Sequence, residues 1–381
     1  MNSVGVPRLE DLETSLVTLK GKRILVRCDF NVPLQNQKIS DDLRIRAALP
    51  TLEWLTERGA DVVACTHLGR PNGRIDPAFA IEPVRARLKE LSPNIEILEN
   101  LRFDSGETEN SPEFVSYLIS GAGGEAFDGY VNDAFGASHR SHASVVGPPQ
   151  KLPSAAGRLL EREVEVLGTL RTTKKKPFLG ILGGAKVSDK LGVIEALLEV
   201  VDRLIIGGAM CFTFFKAMGH EVGDSLCEVK QIDNCRHLLD LGNKILLPSD
   251  VTALSPDGAI GRDDGEVRQM GRSLPGGWKG LDIGPGSAAE FEDSIHEAKM
   301  IFWNGPMGMF EDPRFAAGTR AIGQAMADAK GFTVVGGGDS AAAIAEFKFA
   351  PYIDHISTGG GASLELLENG DLPGLIALRK S

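Results

Sequence analysis

Cysteine is scarce in this chain of 381 residues: Cys28, Cys65, Cys211, Cys227 and Cys235 are an odd set of five, with no CxxC pair. That spacing argues against a disulfide framework and a zinc site, and it points to a reducing compartment. Long apolar runs are missing too. No stretch reaches the roughly 18 apolar residues needed to cross a bilayer. The N-terminal segment MNSVGVPRLEDLET carries acids and has no apolar h-region, so no signal peptide is expected. A cytoplasmic location follows by elimination. Positive charge is outweighed, Lys+Arg 41 against Asp+Glu 52, for a formal net charge of −11. This balance excludes non-specific attraction to nucleic acid or to an anionic membrane. Any tight arginine cluster on such a background therefore calls for a specific anionic ligand. The phosphate-binding pattern G-x-x-x-x-G-K-[ST] is absent, so this is not a P-loop enzyme.

What is present is a globular composition, 42% hydrophobic and 24% charged, in a chain too long for one comfortable core. Two domains are the default expectation. Short β-rich runs at 23–28, 61–66, 94–98 and 128–132 alternate with helical patterns at 43–57 and 79–91. The rhythm restarts with strands at 178–182, 203–206, 244–247, 300–303 and 332–335 and helices at 191–200 and 341–347. Continuous apolar strands between helices indicate parallel sheets covered on both faces. The fold class is α/β, as two doubly wound parallel-sheet, Rossmann-like domains. Between them, residues 153–168 read as a helix with apolar positions at 159, 160, 164 and 167, and a basic stretch at 171–177 follows. The boundary is placed there, giving domains 1–168 and 169–362. Residues 255–277 are polar and glycine-rich and read as a surface excursion.

In an open parallel sheet, ligands gather beyond the carboxyl ends of the strands. In the first half those ends carry Asp29-Phe30-Asn31, His67-Leu68-Gly69-Arg70, Asn100-Leu101-Arg102, and a run from Asn132 to His142 that includes Arg140. Taken singly, such an Asp is usually a cap, such a His a structural group and such an Arg half of an ion pair. Four consecutive strand ends of this kind change the balance. Guanidinium forks match carboxylate and phosphate oxygens two at a time. Arg70, Arg102 and Arg140, with Arg44 from the following helix, could surround one small, multiply charged anion, while Asp29 and Asn31 share hydroxyl hydrogen bonds.

The second half ends its strands in glycine instead. Leu182-Gly183-Gly184-Ala185-Lys186 leads through Lys190 into a helix, and Gly336-Gly337-Gly338-Asp339-Ser340 opens another. Glycine admits a phosphate close to the backbone, and a helix N-terminus offers unpaired N–H groups. Asp339 is either a helix cap or, beside phosphates, a Mg²⁺ ligand. Residues 336–341 also fit the dinucleotide fingerprint G-x-G-x-x-A, with Asp354 placed for a ribose contact. A nicotinamide-dependent dehydrogenase and a non-enzymatic binder of phospho-metabolites are therefore competing readings.

The segments RCDFNVP, THLGRP, LENLRF, VNDAFGASHRSHAS, ILGGAKVSDK, FWNGPMGMFE, GGGDSAAA and STGGGASLELL resemble, in order and spacing, those of phosphoglycerate kinases over nearly the whole chain. Departures are mild: Cys28 and Thr66 replace commoner Val and Ser, HRSH stands for HRAH, and GPGS for GPES. The stretch 273–279 differs more, on the adenine side.

The resemblance implies reversible, Mg²⁺-dependent phosphoryl transfer between ATP and the carboxylate of 3-phosphoglycerate, giving ADP and 1,3-bisphosphoglycerate. Substrate binding is then implied for Asp29, Phe30, Asn31, Arg44, His67, Leu68, Gly69, Arg70, Arg102 and Arg140. Nucleotide binding is implied for Lys186, Lys190, Gly280, Glu311, Gly337, Gly338, Asp339 and Ser340, with Mg²⁺ on Asp339. Arg44 and Lys190 are the implied catalytic pair. The same likeness implies that the tail 363–381 rejoins the first domain, that the domains close about a hinged cleft, and that the chain acts as a monomer.

Overall fold

The computed structural model describes residues 5–380. These divide into two compact units. One takes the described residues up to Gly168 together with those from Asn369 onward, and the other is Thr169–Glu368. The helix Gly361–Asn369 thus lies in the second unit apart from its last residue, where the returning tail begins. That tail forms the helix Pro373–Arg379, and Gly374 N–H bonds the carbonyl of Ser138 at 2.9 Å in the first unit.

The first unit is built on five parallel strands in the order Glu96–Ile97, Asp61–Cys65, Arg23–Arg27, Gly129–Asn132, Ser154–Ala156. Ile24 and Val26 alternate onto one face, where they join Leu9 and Leu12 and the Ile45, Leu52 and Leu55 stripe of helix Leu43–Glu57. Strand order reverses between Arg23–Arg27 and Gly129–Asn132, and the crevice of an open sheet opens at such a reversal.

One element differs from expectation. Residues 153–168 are not a single helix: Ser154–Ala156 is the edge strand, and the helix runs Arg158–Thr172, past Gly168. Apolar spacing gives the helix its face, but its start is decided by a tertiary cap. Asp133 Oδ1 accepts from Leu159 N–H at 3.0 Å and Leu160 N–H at 3.3 Å. A Cβ on Gly157 would lie 2.2 Å from that same oxygen. Gly157→Ala is therefore expected to destabilise the first unit by about 1–3 kcal/mol, the usual cost of overpacking, read as a lower urea midpoint.

The second unit carries six parallel strands in the order Ile245–Leu246, Arg203–Ile206, Phe178–Leu182, Met300–Asn304, Phe332–Gly336, His355–Ile356. Its reversal falls between Phe178–Leu182 and Met300–Asn304. Ile181, Ile205, Ile301, Trp303 and Val335 fill the core against Phe291, Ile295, Ile322 and Met326. The polar excursion contains a strand, Val267–Gly271, which pairs antiparallel with Asp250–Leu254, itself antiparallel to Lys279–Ile283. Its mostly exposed residues carry no apolar period, so the sequence pattern hides it. Among the described residues, no helix is long and apolar enough to cross a membrane.

Candidate active site

At the reversal of the first sheet, buried Asp29 accepts from Arg44 Nη1 at 2.6 Å. Burial works against the charge of Asp29, yet Arg44 first and then Arg27, with the Asn31 N–H, outweigh it and hold the carboxyl below its ordinary value of 3.8. The pKa of His67 falls as well, but there burial is the leading cause. Burial, with Arg27, Arg102 and Arg44 nearby, pushes it well below 6.5 against the pull of Asp29, so the imidazole is neutral at physiological pH.

The loop after the second strand is fixed in place. Gly69 N–H donates to Asn31 Oδ1 at 2.9 Å, and Arg102 Nη1 donates to the Gly69 carbonyl at 2.8 Å. Gly69 is left-handed at φ 62°, and a Cβ there would fall 2.3 Å from the Phe79 ring. Only glycine fits. Arg102 keeps a buried Nε without a hydrogen-bond partner, while burial and the neighbouring Arg27 lower its pKa to about 10. It stays cationic at neutral pH. Arg140, exposed, adds to this repulsion, and Arg70 is exposed beside Gly69. A cup whose cations repel one another and whose buried donor lacks a partner is built for an anion.

Phe30 and Leu68 sit in the core of this unit. Leu68 also has both backbone groups bonded to Asn100, at 3.2 and 2.8 Å, and Phe30 N–H donates to Thr66 Oγ1 at 2.9 Å. Their side chains shape the floor rather than face a ligand.

At the reversal of the second sheet, Lys190 Nζ donates to the carbonyls of Gly183 and Asn304 at 2.7 and 3.1 Å and to Asn304 Oδ1 at 2.7 Å. Burial lowers its pKa to about 8, although Asp339 and Asp189 pull the other way. It borders a groove of about 360 Å³ that Lys186, Gly337, Gly338, Asp339 and Ser340 also line. Gly337, at φ 90°, leads into helix Gly338–Glu346, and a Cβ on it would meet Asn304 Nδ2 at 2.7 Å. Asp339 is exposed in the first turn of that helix. Ser340 is fully buried, and its Oγ accepts from Gly305 N–H at 2.5 Å, tying the two loops together.

Gly280 and Glu311 are not among the residues lining this groove. Gly280 lies in an antiparallel strand where a Cβ would strike the Phe212 ring at 2.0 Å, and Glu311 is exposed. Asp354 accepts from Thr333 N–H and Oγ1 at 2.8 and 3.1 Å. That carboxylate sits at the amino ends of two parallel strands, opposite the carboxyl end that Gly337 follows, and so away from the ribose contact that a dinucleotide reading requires.

Sequence reasoning missed Asn304 and Arg27. Asn304 sits in the quoted FWNGPMGMFE segment, and its Nδ2 is buried without a hydrogen-bond partner. The signal for Arg27 was a charge ending an apolar strand, where a lone cation cannot stay without partners.

Two doubly wound units, one with an arginine- and histidine-lined cup and one with glycine turns around a lysine, define an α/β enzyme acting on small anions. The family model "Phosphoglycerate kinase" matches residues 14–97 and 92–370. The chain is 49% identical to the phosphoglycerate kinase of Salinispora arenicola over 407 residues, covering 98% of this chain and 100% of the relative. It is 47% identical to that of Rubrobacter xylanophilus, covering 94% and 96%. The solved phosphoglycerate kinase of Coxiella burnetii superposes with a TM-score of 0.85 at 34% identity, covering 96% of this chain and 98% of that one. The chain belongs to the phosphoglycerate kinase family. It is an enzyme with phosphoglycerate kinase activity, working in glycolysis.

Proposed function

We propose that the cup of the first unit binds 3-phosphoglycerate and the groove of the second binds ATP or ADP. The observation that carries this is the pairing of site chemistries: a surplus of guanidinium groups around Asp29 and His67, and glycine turns at a helix start around Lys190. Arg44, Arg70, Arg102 and Arg140 would neutralise the phosphate and carboxylate. Asp29, Asn31 and His67 would hold the hydroxyl and carboxyl oxygens, with Phe30, Leu68 and Gly69 contributing backbone. Lys186, Lys190 and the N–H groups of Gly337, Gly338 and Ser340 would take the nucleotide phosphates, with Gly280 and Glu311 toward its nucleoside end.

The nucleophile is the substrate's own carboxylate, ionised at neutral pH, so no general base is needed. Phosphoryl transfer then depends on positioning and on neutralising charge on the transferred oxygens. Arg44 and Lys190 would share that charge, one from each unit. The two must come together once both ligands are bound, so we infer a hinge closure, flexing at the ends of the 158–172 helix and at Gly359–Gly361, which excludes water from the acyl phosphate. Small-angle scattering with no compaction on adding both ligands would count against it. The chain is proposed to act as a monomer in a reducing, cytoplasmic setting.

Among the described residues, no cluster of three or more His, Cys, Asp or Glu forms a self-sufficient metal site. Mg²⁺ on a nucleotide does not need one, because it takes one or two carboxylates and fills its shell with phosphate oxygens and water. Asp339, exposed at the groove, fits that requirement. Bound there, the ion would neutralise the triphosphate.

Coupled assays should show turnover of 3-phosphoglycerate that requires both ATP and Mg²⁺; hydride transfer without a triphosphate would reject the reading. Asp339→Ala is expected to raise the Mg²⁺ concentration for half-maximal rate about 10-fold or more. The KM for 3-phosphoglycerate should stay within about twofold, since the change lies in the other unit.

A further inference from the structure

Beneath the cup lies a buried ionic cluster that phosphoryl transfer does not use. Arg27 is fully buried at the end of the central strand. Its Nε donates to Ser144 Oγ at 2.8 Å and its Nη1 to the Cys28 carbonyl, while Nη2 lies 4.0 Å from Glu107 Oε1. Ser144 in turn donates through Oγ and N–H to the two oxygens of Glu107 at 2.6 and 2.9 Å, and Tyr130 Oη donates to the Ser144 carbonyl at 2.7 Å. Glu107, Ser144 and Tyr130 are all fully buried. A guanidinium held on so many sides cannot swing to solvent. Its Nη2 lies 3.1 Å from His67 Nδ1.

A guanidinium has only donors and does not lose its proton in proteins. His67 Nδ1 must therefore be the acceptor, and the single imidazole proton must sit on Nε2. A second proton on Nδ1 would point an N–H at a cation 3.1 Å away. The other charged groups acting on the ring are Asp29, which favours the cation, and Arg102 and Arg44, which oppose it.

Resting on the reading of the cup as the phosphoglycerate site, we infer that Arg27 is a positioning residue that locks His67 as the neutral Nε2–H tautomer. The cup is then supplied with an uncharged donor of fixed direction among its arginines. The ring nitrogen facing away from Arg27 would serve an oxygen of the bound acid. A floor that only stabilised the strand end would have no reason to select a tautomer.

The test is nitrogen-15 NMR on the histidine-labelled full chain from pH 5.5 to 8, with His67 assigned by its loss in His67→Gln. The wild type should show Nδ1 bare and Nε2 protonated throughout, and adding 3-phosphoglycerate should shift the Nε2 signal. A protonated Nδ1, or a His67 that titrates within this range, overturns the inference on the wild-type enzyme, with no variant of Arg27 or Glu107 needed. In Arg27→Met/Glu107→Gln, which removes both buried charges together, the tautomers should mix or titration should return. The KM for 3-phosphoglycerate should rise about tenfold, on the order of one lost hydrogen bond, with the KM for ATP within about twofold. An unchanged tautomer in that variant also overturns the inference. If the tautomer is as stated but 3-phosphoglycerate leaves His67 unmoved, the assignment of the cup fails instead, and with it the link to substrate.

Discussion

Replacing Arg44 by alanine is expected to lower kcat by about 10³-fold or more, the range seen when an arginine that stabilises phosphoryl-transfer charge is lost. The geometry explains why Arg44 should matter more than its position on a helix suggests. Its Nη1 meets Asp29 at 2.6 Å, and its side chain keeps 33% exposure. It is thus held by one partner while its remaining donors can turn to a transferring group. Arg44→Lys should recover only part of the rate, because an ammonium is a point charge and cannot bridge two oxygens as a fork does.

The same pair has a stability signature. Asp29 has its folded pKa depressed below 3.8. Its contribution is therefore present above the unfolded value and is lost as pH falls through the lower folded one. In Arg44→Ala that acid-side dependence should shrink, while circular dichroism at neutral pH stays native, since a half-exposed charge contributes little packing. Near-normal turnover in Arg44→Ala would remove this arginine from the mechanism.

The second large effect is expected at Lys190. Lys190→Ala should cost about 10²–10³ in kcat, comparable to losing one preorganised donor to developing charge. Part of the loss will have a structural origin, because the Gly183 carbonyl and Asn304 Oδ1 would lose this donor, while the Asn304 carbonyl would keep the Gly183 N–H at 2.9 Å. Chemical labelling of the intact enzyme separates the two contributions. With the pKa lowered to about 8 by burial, the free amine should acylate faster than surface lysines, with half-maximal rate near that pH. ATP or ADP should restore the charge and protect the residue, because phosphate oxygens favour the ammonium form. A pH profile like that of an exposed lysine, unaffected by nucleotide, would contradict this assignment.

Phe178–Leu182 and Arg203–Ile206 coincide with the strands expected from apolar runs, and Leu43–Glu57 with the expected helix. These elements are covered on both faces or carry one apolar stripe, so burial is written directly into residue type. Elements that a partner decides were not legible in this way. Ser154–Ala156 is a strand because Gly129–Asn132 lies beside it. Helix Arg158–Thr172 starts where Asp133, 25 residues upstream, supplies its cap. Val267–Gly271 pairs through its backbone while most of its side chains face water.

The site divides along the same line. Charged and glycine residues at the carboxyl ends of strands are readable one by one, because parallel sheets put ligands there and because few other roles explain so many arginines in an acidic chain. Their sequence alone determined the two α/β halves, the side-chain chemistry each half presents at its strand ends and the family likeness. The strand reversals that gather Asp29, Arg44, His67 and Arg102 in one unit, and Lys190, Asn304 and Gly337 in the other, were decided only by tertiary structure. So were the pKa values of His67, Arg102 and Lys190 and the tautomer that Arg27 imposes. The physical reason is that residue type sets what a group can donate or accept, whereas desolvation and neighbouring charge depend on distances that only the folded chain creates.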